Sequence, residues 1–274
     1  MKISSNSKNP FVLPTLIAGF SLILAGRMTA QTFTTLHSFT TPSSLPPYGN
    51  SDGANPIASL ILSGNILYGT AYFGGSSGDG AVFRMKTDGT GFTNLYSFTP
   101  LSNPYSGTNS DGANPNRLIL SGNILYGTAS GGGSSGDGAV FSVSTDGTGF
   151  TNLYSFTTVS GIFPSITNSD GANPNSGLIL SGNTLYGTAR IGGSSGCGTV
   201  FSLSLPLPQL TIAPYGANLV LKWPTNAGFT LQSTTNLFSP VAWTAVSPGP
   251  VVVNGQNAVT NPISGTQQFF RLSQ

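Results

Sequence analysis

The side chains able to do chemistry are few: one His (His37), one Cys (Cys197), seven Asp and no Glu in 274 residues. General acid–base work needs two carboxylates held in distinct environments. All seven Asp fall instead in recurring turn strings: Asp52, Asp111 and Asp170 open DGANP, Asp79 and Asp137 follow GGSSG, and Asp88 and Asp146 open DGTG. Asp-Gly is a turn pair because both residues tolerate positive φ, so these acids are assigned to turns. Calcium would need two or three acidic donors at ligand spacing within one loop. No loop carries them, so neither a metal site nor a cofactor is expected.

Two catalytic-looking strings are equally spare. Residues 74–78 (GGSSG) match the G-x-S-x-G nucleophile elbow, which requires a strand before, a helix after, and a His and acid nearby. Here a strand pattern follows, the string occurs three times, and His37 is the sole His. Residues 131–136 match G-x-G-x-x-G without the helix whose N-terminus would hold a pyrophosphate. Cys197 stands where the other two copies have Asp79 and Asp137, with no His, Cys or Glu for company, and reads as drift in a tolerant loop. Tyr68, Tyr126 and Tyr186, with Phe83, Phe141 and Phe201, recur as aromatic sets. Sugar stacking and packing between units both use such rings, and packing is the expectation. Trp223 and Trp243 are read as core of a C-terminal module. No catalytic residue is assigned, and ligand-binding residues stay unassigned.

What positions these side chains is a repeat. DGANP recurs at a spacing of 59 residues, each time followed by LILSGN, LYGTA, GGSSG and VF. The string TDGTGFTNLYSFT links the copies at 87–99 and 145–157. Four strands per unit are predicted. In the first copy, residues 60–63 turn through Gly64-Asn65, a two-residue hairpin of type I′ or II′, into 66–72. A Gly/Ser loop leads to 81–87, where Ala81, Phe83 and Met85 alternate with Val82, Arg84 and Lys86 as in a half-buried strand. The turn at Asp88-Gly89-Thr90-Gly91 then opens the fourth strand, 92–99.

The third copy stops after its third strand, at 200–205, while residues 33–40 (FTTLHSFT) match 92–99 (FTNLYSFT). The expectation is therefore twelve strands in three four-stranded antiparallel units, with residues 33–40 closing the last unit and removing its exposed edge. A kelch-like propeller sheet is the nearest blade pattern. Another threefold closed ring (trefoil or prism) and a six-blade ring of two chains stay open, with self-closure as a monomer expected over the dimer.

The strings LYGTA, GGSSGDGAVF and TDGTGFTNLYSF resemble the tandem repeat named for Gloeobacter and Verrucomicrobia in "choice-of-anchor" exported proteins. The resemblance covers roughly residues 33–205 and implies secretion and β-repeat architecture, with no catalytic residue to carry over. The chain departs from that pattern by Pro/Ser/Asn insertions before each DGANP, such as residues 41–51. These loops are expected on one face, a candidate binding surface.

Charge is scarce, at 6 % Asp, Glu, Lys and Arg, while Gly (37) and Pro (19) abound. This suits short strands and tight turns rather than long helices. Residues 1–30 read as a signal peptide: Lys2 and Lys8 precede an apolar run over 11–25, and Ala30 suits cleavage. Its loss leaves six basic side chains against seven Asp. No basic stripe remains to neutralise phosphates, which argues against nucleic acid. No membrane span is expected after processing, and a lone Cys leaves stability to packing. Residues 31–205 form the repeat domain, 206–209 a Pro-stiffened linker, and 210–274 a small all-β, sandwich-like module of seven short strands. The reading is a secreted or cell-surface, non-catalytic binding or scaffold protein with glycans or extracellular matrix as the ligand class. The rival is an extracellular hydrolase or lyase on a propeller-like ring.

Overall fold

Local turn chemistry accounts for most of the hairpins. The computed structural model describes residues 31–103, 107–162, 166–224, 229–253, 256–263 and 267–273. Residues 1–30, read above as a signal peptide, lie outside these. The chain divides into two compact units, Met1–Thr34 and Thr35–Gln274. In the first, residues 31–34 carry no strand.

The first repeat is a four-stranded antiparallel sheet of β1 (Ile61–Ser63), β2 (Ile66–Ala71), β3 (Ala81–Lys86) and β4 (Thr93–Ser97), in that order. Ser63 pairs with Ile66 across the predicted hairpin. Gly64 there takes φ 58°, while Asn65 is not left-handed, the pattern of a type II′ turn. The second repeat adds a short strand. Its sheet holds β5 (Ala113–Pro115), β6 (Ile119–Ser121), β7 (Ile124–Gly131), β8 (Ala139–Ser144) and β9 (Thr151–Ser155). The third has only β10 (Ile179–Ser181), β11 (Thr184–Ala189) and β12 (Thr199–Ser204). The additional strand is the ANP of DGANP; in the other copies the same segment makes single bridges, Ala54 with Phe73 and Ala172 with Ile191.

The sheets stack face on face, which changes the meaning of the alternation in β3. Val82 and Val140, on the face opposite Phe83 and Phe141, are fully buried at 0 % exposure. Tyr68, Val82 and Leu95 of the first unit share a core with Leu118, Leu125, Phe141 and Val143 of the second. Tyr126 and Val140 of the second do the same with Leu178, Leu185 and Leu205 of the third. The strand is thus covered on both sides, not half-buried. At the last unit the cover ends: Val200, the counterpart of Val82 and Val140, is 83 % exposed.

The expected closing strand is not formed. Among the described residues β12 pairs only with β11. Residues 37–40 lie on the first unit instead. His37 stacks on Phe92 at 3.9 Å, Phe39 meets Phe83 edge-on at 5.4 Å, and the Thr40 amide donates to Asp52. The physical reason is that the aromatic tail of this motif reaches forward to the unit that follows it, so these contacts hold residues 37–40 at the first unit, away from the third-unit edge they would have to close. Tyr96 and Phe98 cap the second unit, and Tyr154 and Phe156 reach the third, in the same way. The units are all-β antiparallel sheets, and among the described residues their strands do not pair into a closed threefold ring.

The C-terminal module runs through β13 (Thr211–Tyr215), β14 (Asn218–Pro224), β15 (Thr230–Thr234), β16 (Thr244–Ala245), β17 (Val251–Val253), β18 (Gln256–Pro262) and β19 (Phe269–Ser273). Two sheets, β13-β14-β18-β17 and β16-β15-β19, enclose Leu221, Trp223, Leu231 and Val259. Trp223 is core as expected. Trp243 is instead half-buried under the Arg271 guanidinium, 4.4 Å from the ring centre.

Candidate functional site

The repeat Asp residues do more than turn the chain. Asp111 is buried and accepts from the Thr99 amide at 2.8 Å, the Tyr96 hydroxyl at 2.6 Å and the Thr99 hydroxyl. Asp170 repeats this with Thr157 and Tyr154, and Asp52 with Thr40 and His37. Each carboxylate therefore clasps the tail of one fourth-strand motif to the DGANP loop of the next unit. Burial pushes the Asp52 carboxyl up, but the bonds from Thr40 and His37 outweigh it and hold the group below its ordinary value. Asp170 is lowered by the same balance. Its hydrogen bond, with some burial, pushes the Tyr154 hydroxyl up to about 12.

Beside each Asp, an Asn missed in the sequence completes the knot. Asn50 accepts from the amides of Gly53 and Gly75 and donates to the carbonyls of Thr40 and Gly53. Asn109 and Asn168 repeat the arrangement. The signal was present, since Asn-Ser precedes DGANP in all three copies.

Asp79 and Asp137 have a second task. Their carboxylates accept from the amides of Leu101 at 3.0 Å and Val159 at 3.1 Å, in the insertion that follows. Burial raises both carboxyls above the ordinary range. Cys197 retains the loop's backbone bridge to Gly192. The GGSSGD loops fold back on themselves, Gly74 donating to Gly78 and Gly80 to Gly74, and lead into strands. This is not the strand-to-helix geometry of a nucleophile elbow. Of the aromatic sets, Tyr68, Tyr126, Phe83 and Phe141 are buried packing, Phe201 is half-buried and Tyr186 is exposed, against the packing expectation.

A cavity of about 780 Å³ opens between the insertions of the first and second units. Its walls include Pro46, Pro47, Tyr48, Phe73, Asp79 and Leu101, so two of the insertions border one space. Tyr48 and Phe73 are exposed at 50 % and 46 %. Tyr48 sits at φ 57°, a costly conformation for a bulky residue, held by the hydrogen bond its amide donates to the Leu45 carbonyl at 2.9 Å. Tyr72 braces Phe73 edge-on at 4.7 Å. Neither wall aromatic belongs to the repeat pattern: Phe73 stands where the other copies have Gly131 and Ile191. The sign of this site in the sequence is thus a departure from the repeat. Among the described residues no group of three or more His, Cys, Asp or Glu converges as a metal site.

The model of the Gloeobacter/Verrucomicrobia repeat matches residues 26–166, more than half of the chain. The chain belongs to that family. No curated protein matches it. Solved structures similar to this repeat-family chain include a mutant GH43 protein from Bacillus licheniformis, at 12 % identity and a TM-score of 0.30, covering 72 % of this chain and 42 % of that one. Another is GH43B of a Bacteroides ovatus xyloglucan locus, at 16 % identity and a TM-score of 0.27, covering 73 % and 42 %. The chain spans about two fifths of the length of these structures. Among the described residues no helix is long and apolar enough to cross a membrane.

Proposed function

We propose that the chain is an exported, non-catalytic binding protein that holds a glycan in the cavity between the insertions of its first two repeat units. The observation carrying this reading is the pair of exposed rings, Tyr48 and Phe73, at a cavity that also presents the Asp79 carboxylate. Sugar rings offer apolar C–H faces to aromatic surfaces and hydroxyls to carboxylates. Concave sites that combine apolar walls with a few fixed polar groups are the usual form of small-ligand sites. Membership of a repeat family associated with exported proteins supports the extracellular setting.

A glycan array probed with the mature chain tests it. Binding to a defined subset is expected, weakened at least about tenfold by Phe73→Ala and by Tyr48→Ala with unchanged thermal melting. Release of shorter saccharides from a bound glycan would replace this reading with the hydrolase or lyase.

A further inference from the structure

The two ends of the repeat array are complementary, and each keeps an apolar side chain exposed, Leu60 at one and Val200 at the other. In the first two units a Phe completes an aromatic stack. Phe92 lies between His37 at 3.9 Å and Phe83 at 5.2 Å; Phe150 lies between Tyr96 at 3.8 Å and Phe141 at 5.6 Å. The third unit has no such ring after β12. A cavity of about 250 Å³ stands there, bounded by Val140, Tyr154, Phe156, Asp170, Val200 and Phe201. The neighbouring edge of β12 carries no strand among the described residues, although β3 and β8 are paired at that edge by β4 and β9.

The missing parts exist elsewhere in the same chain. Residues 33–40 have the sequence FTTLHSFT, against FTNLYSFT at 92–99 and 150–157. Phe33, the counterpart of Phe92 and Phe150, is 93 % exposed. Residues 34–38, the counterpart of β4 and β9, form no strand. The outer faces match as well. Leu118 and Leu178 are buried against the preceding unit, while the equivalent Leu60 is exposed. Val82 and Val140 are buried against the following unit, while Val200 is exposed.

We propose that a second copy of this chain docks head to tail on the third unit. Its Phe33 fills the cavity between Tyr154 and Phe201, its residues 34–38 pair along β12, and its Leu60 face covers Val200. The register follows from the first unit, where Thr93 opposes Arg84, Asn94 opposes Phe83, Tyr96 opposes Val82 and Ser97 opposes Ala81. By that register Thr34 of the second copy opposes Ser202, Thr35 opposes Phe201, and His37 opposes Val200. The forward contacts of His37 and Phe39 with their own first unit are kept, because in the interior one motif serves both neighbours. Such a heterologous contact closes as a ring of two chains or extends as a filament, and both bury an edge that would otherwise be open.

The test uses the mature chain from residue 31 onward. Light scattering is expected to give two or more chain masses, with the dissociation constant of the assembly raised at least about tenfold by Phe33→Ser and by Val200→Lys. Both side chains are exposed, so unchanged melting of the variant monomers verifies the fold. Thr34→Cys with Ser202→Cys, in a Cys197→Ser background, is expected to oxidise to species of twice the chain mass or more. A monomeric wild type at about 100 µM, assembly indifferent to both variants, or a disulfide formed only within one chain would each overturn the proposal.

Discussion

Tyr96 lies flat on Phe150, their ring centres 3.8 Å apart and their planes 6° from parallel. The tyrosine leaves the sheet of the first unit and the phenylalanine belongs to the second, so the stack is a rivet between repeats. The hydroxyl of the same tyrosine bonds Asp111 at 2.6 Å. One side chain thereby contributes an apolar face to the stack and a donor to the clasp, an amphipathic use suited to Tyr.

Removing the rivet should loosen the array. Phe150→Ala is expected to cost about 3 kcal/mol, because the vacated space lies between Tyr96 and Phe141 and cannot collapse without separating the units. Urea unfolding measures it, and a loss below about 1 kcal/mol would show that the stack does not join the repeats.

The clasp should matter as much. Asp111→Ala strips the partner from the Thr99 amide, the Thr99 hydroxyl and the Tyr96 hydroxyl at a buried position. The expected cost is about 2–4 kcal/mol, and Asp111→Asn should recover only part, since an amide is a weaker acceptor than a carboxylate.

Acid should act through two opposed groups of carboxylates. Asp52 and Asp170 are held below the ordinary value of 3.8 in the fold. Their stabilising contribution is therefore present above that value and lost as pH falls through the folded values. Asp79 and Asp137 are raised by burial, so their contribution is present at low pH and lost as pH rises through the folded values. Asp79→Asn is thus expected to raise the melting temperature at neutral pH, with the gain vanishing in acid below the unfolded value. A melting series across pH checks this, and a loss on substitution at neutral pH would reverse the assignment.

Glycine in LYGTA should be intolerant in proportion to how tightly its unit is enclosed. A Cβ on Gly127 would lie 2.6 Å from the Phe141 ring and 2.8 Å from Leu118. On Gly187 it would meet the equivalent pair, the Phe201 ring at 2.5 Å and Leu178 at 2.8 Å, but that ring borders the open cavity of the third unit. Gly127→Ala is expected to cost about 1–3 kcal/mol by overpacking. Gly187→Ala should cost clearly less, because Phe201 has room to yield. Equal losses in thermal melts of the two variants would show that the cavity gives no relief.

The sequence by itself determined what depends on neighbours along the chain. Gly64-Asn65 set a hairpin because only a left-handed first residue matches the twist of β1 and β2. The seven short apolar runs after residue 209 became seven strands, because short β-prone runs bounded by turn residues are also a local signal. The repeat itself was legible because identical strings must fold to identical hairpins. What only the tertiary structure decided depends on which surfaces meet. Val82 and Val200 occupy the same place in the pattern, yet one is buried by the next sheet and the other faces water. Asp52 read as a turn residue, but its partners His37 and Thr40 come from an earlier segment that packing brings across. Tyr48 and Phe73 carried no periodic signal, since a cavity wall is made by loops converging in space. The closing strand was misplaced for a related reason. FTTLHSFT matches a motif that touches two units at once, and similarity of sequence cannot say which contact is kept. In the fold the ring contacts of His37 and Phe39 and the Asp52 clasp hold it to the first unit, and among the described residues of the chain none pairs with the outer edge of β12.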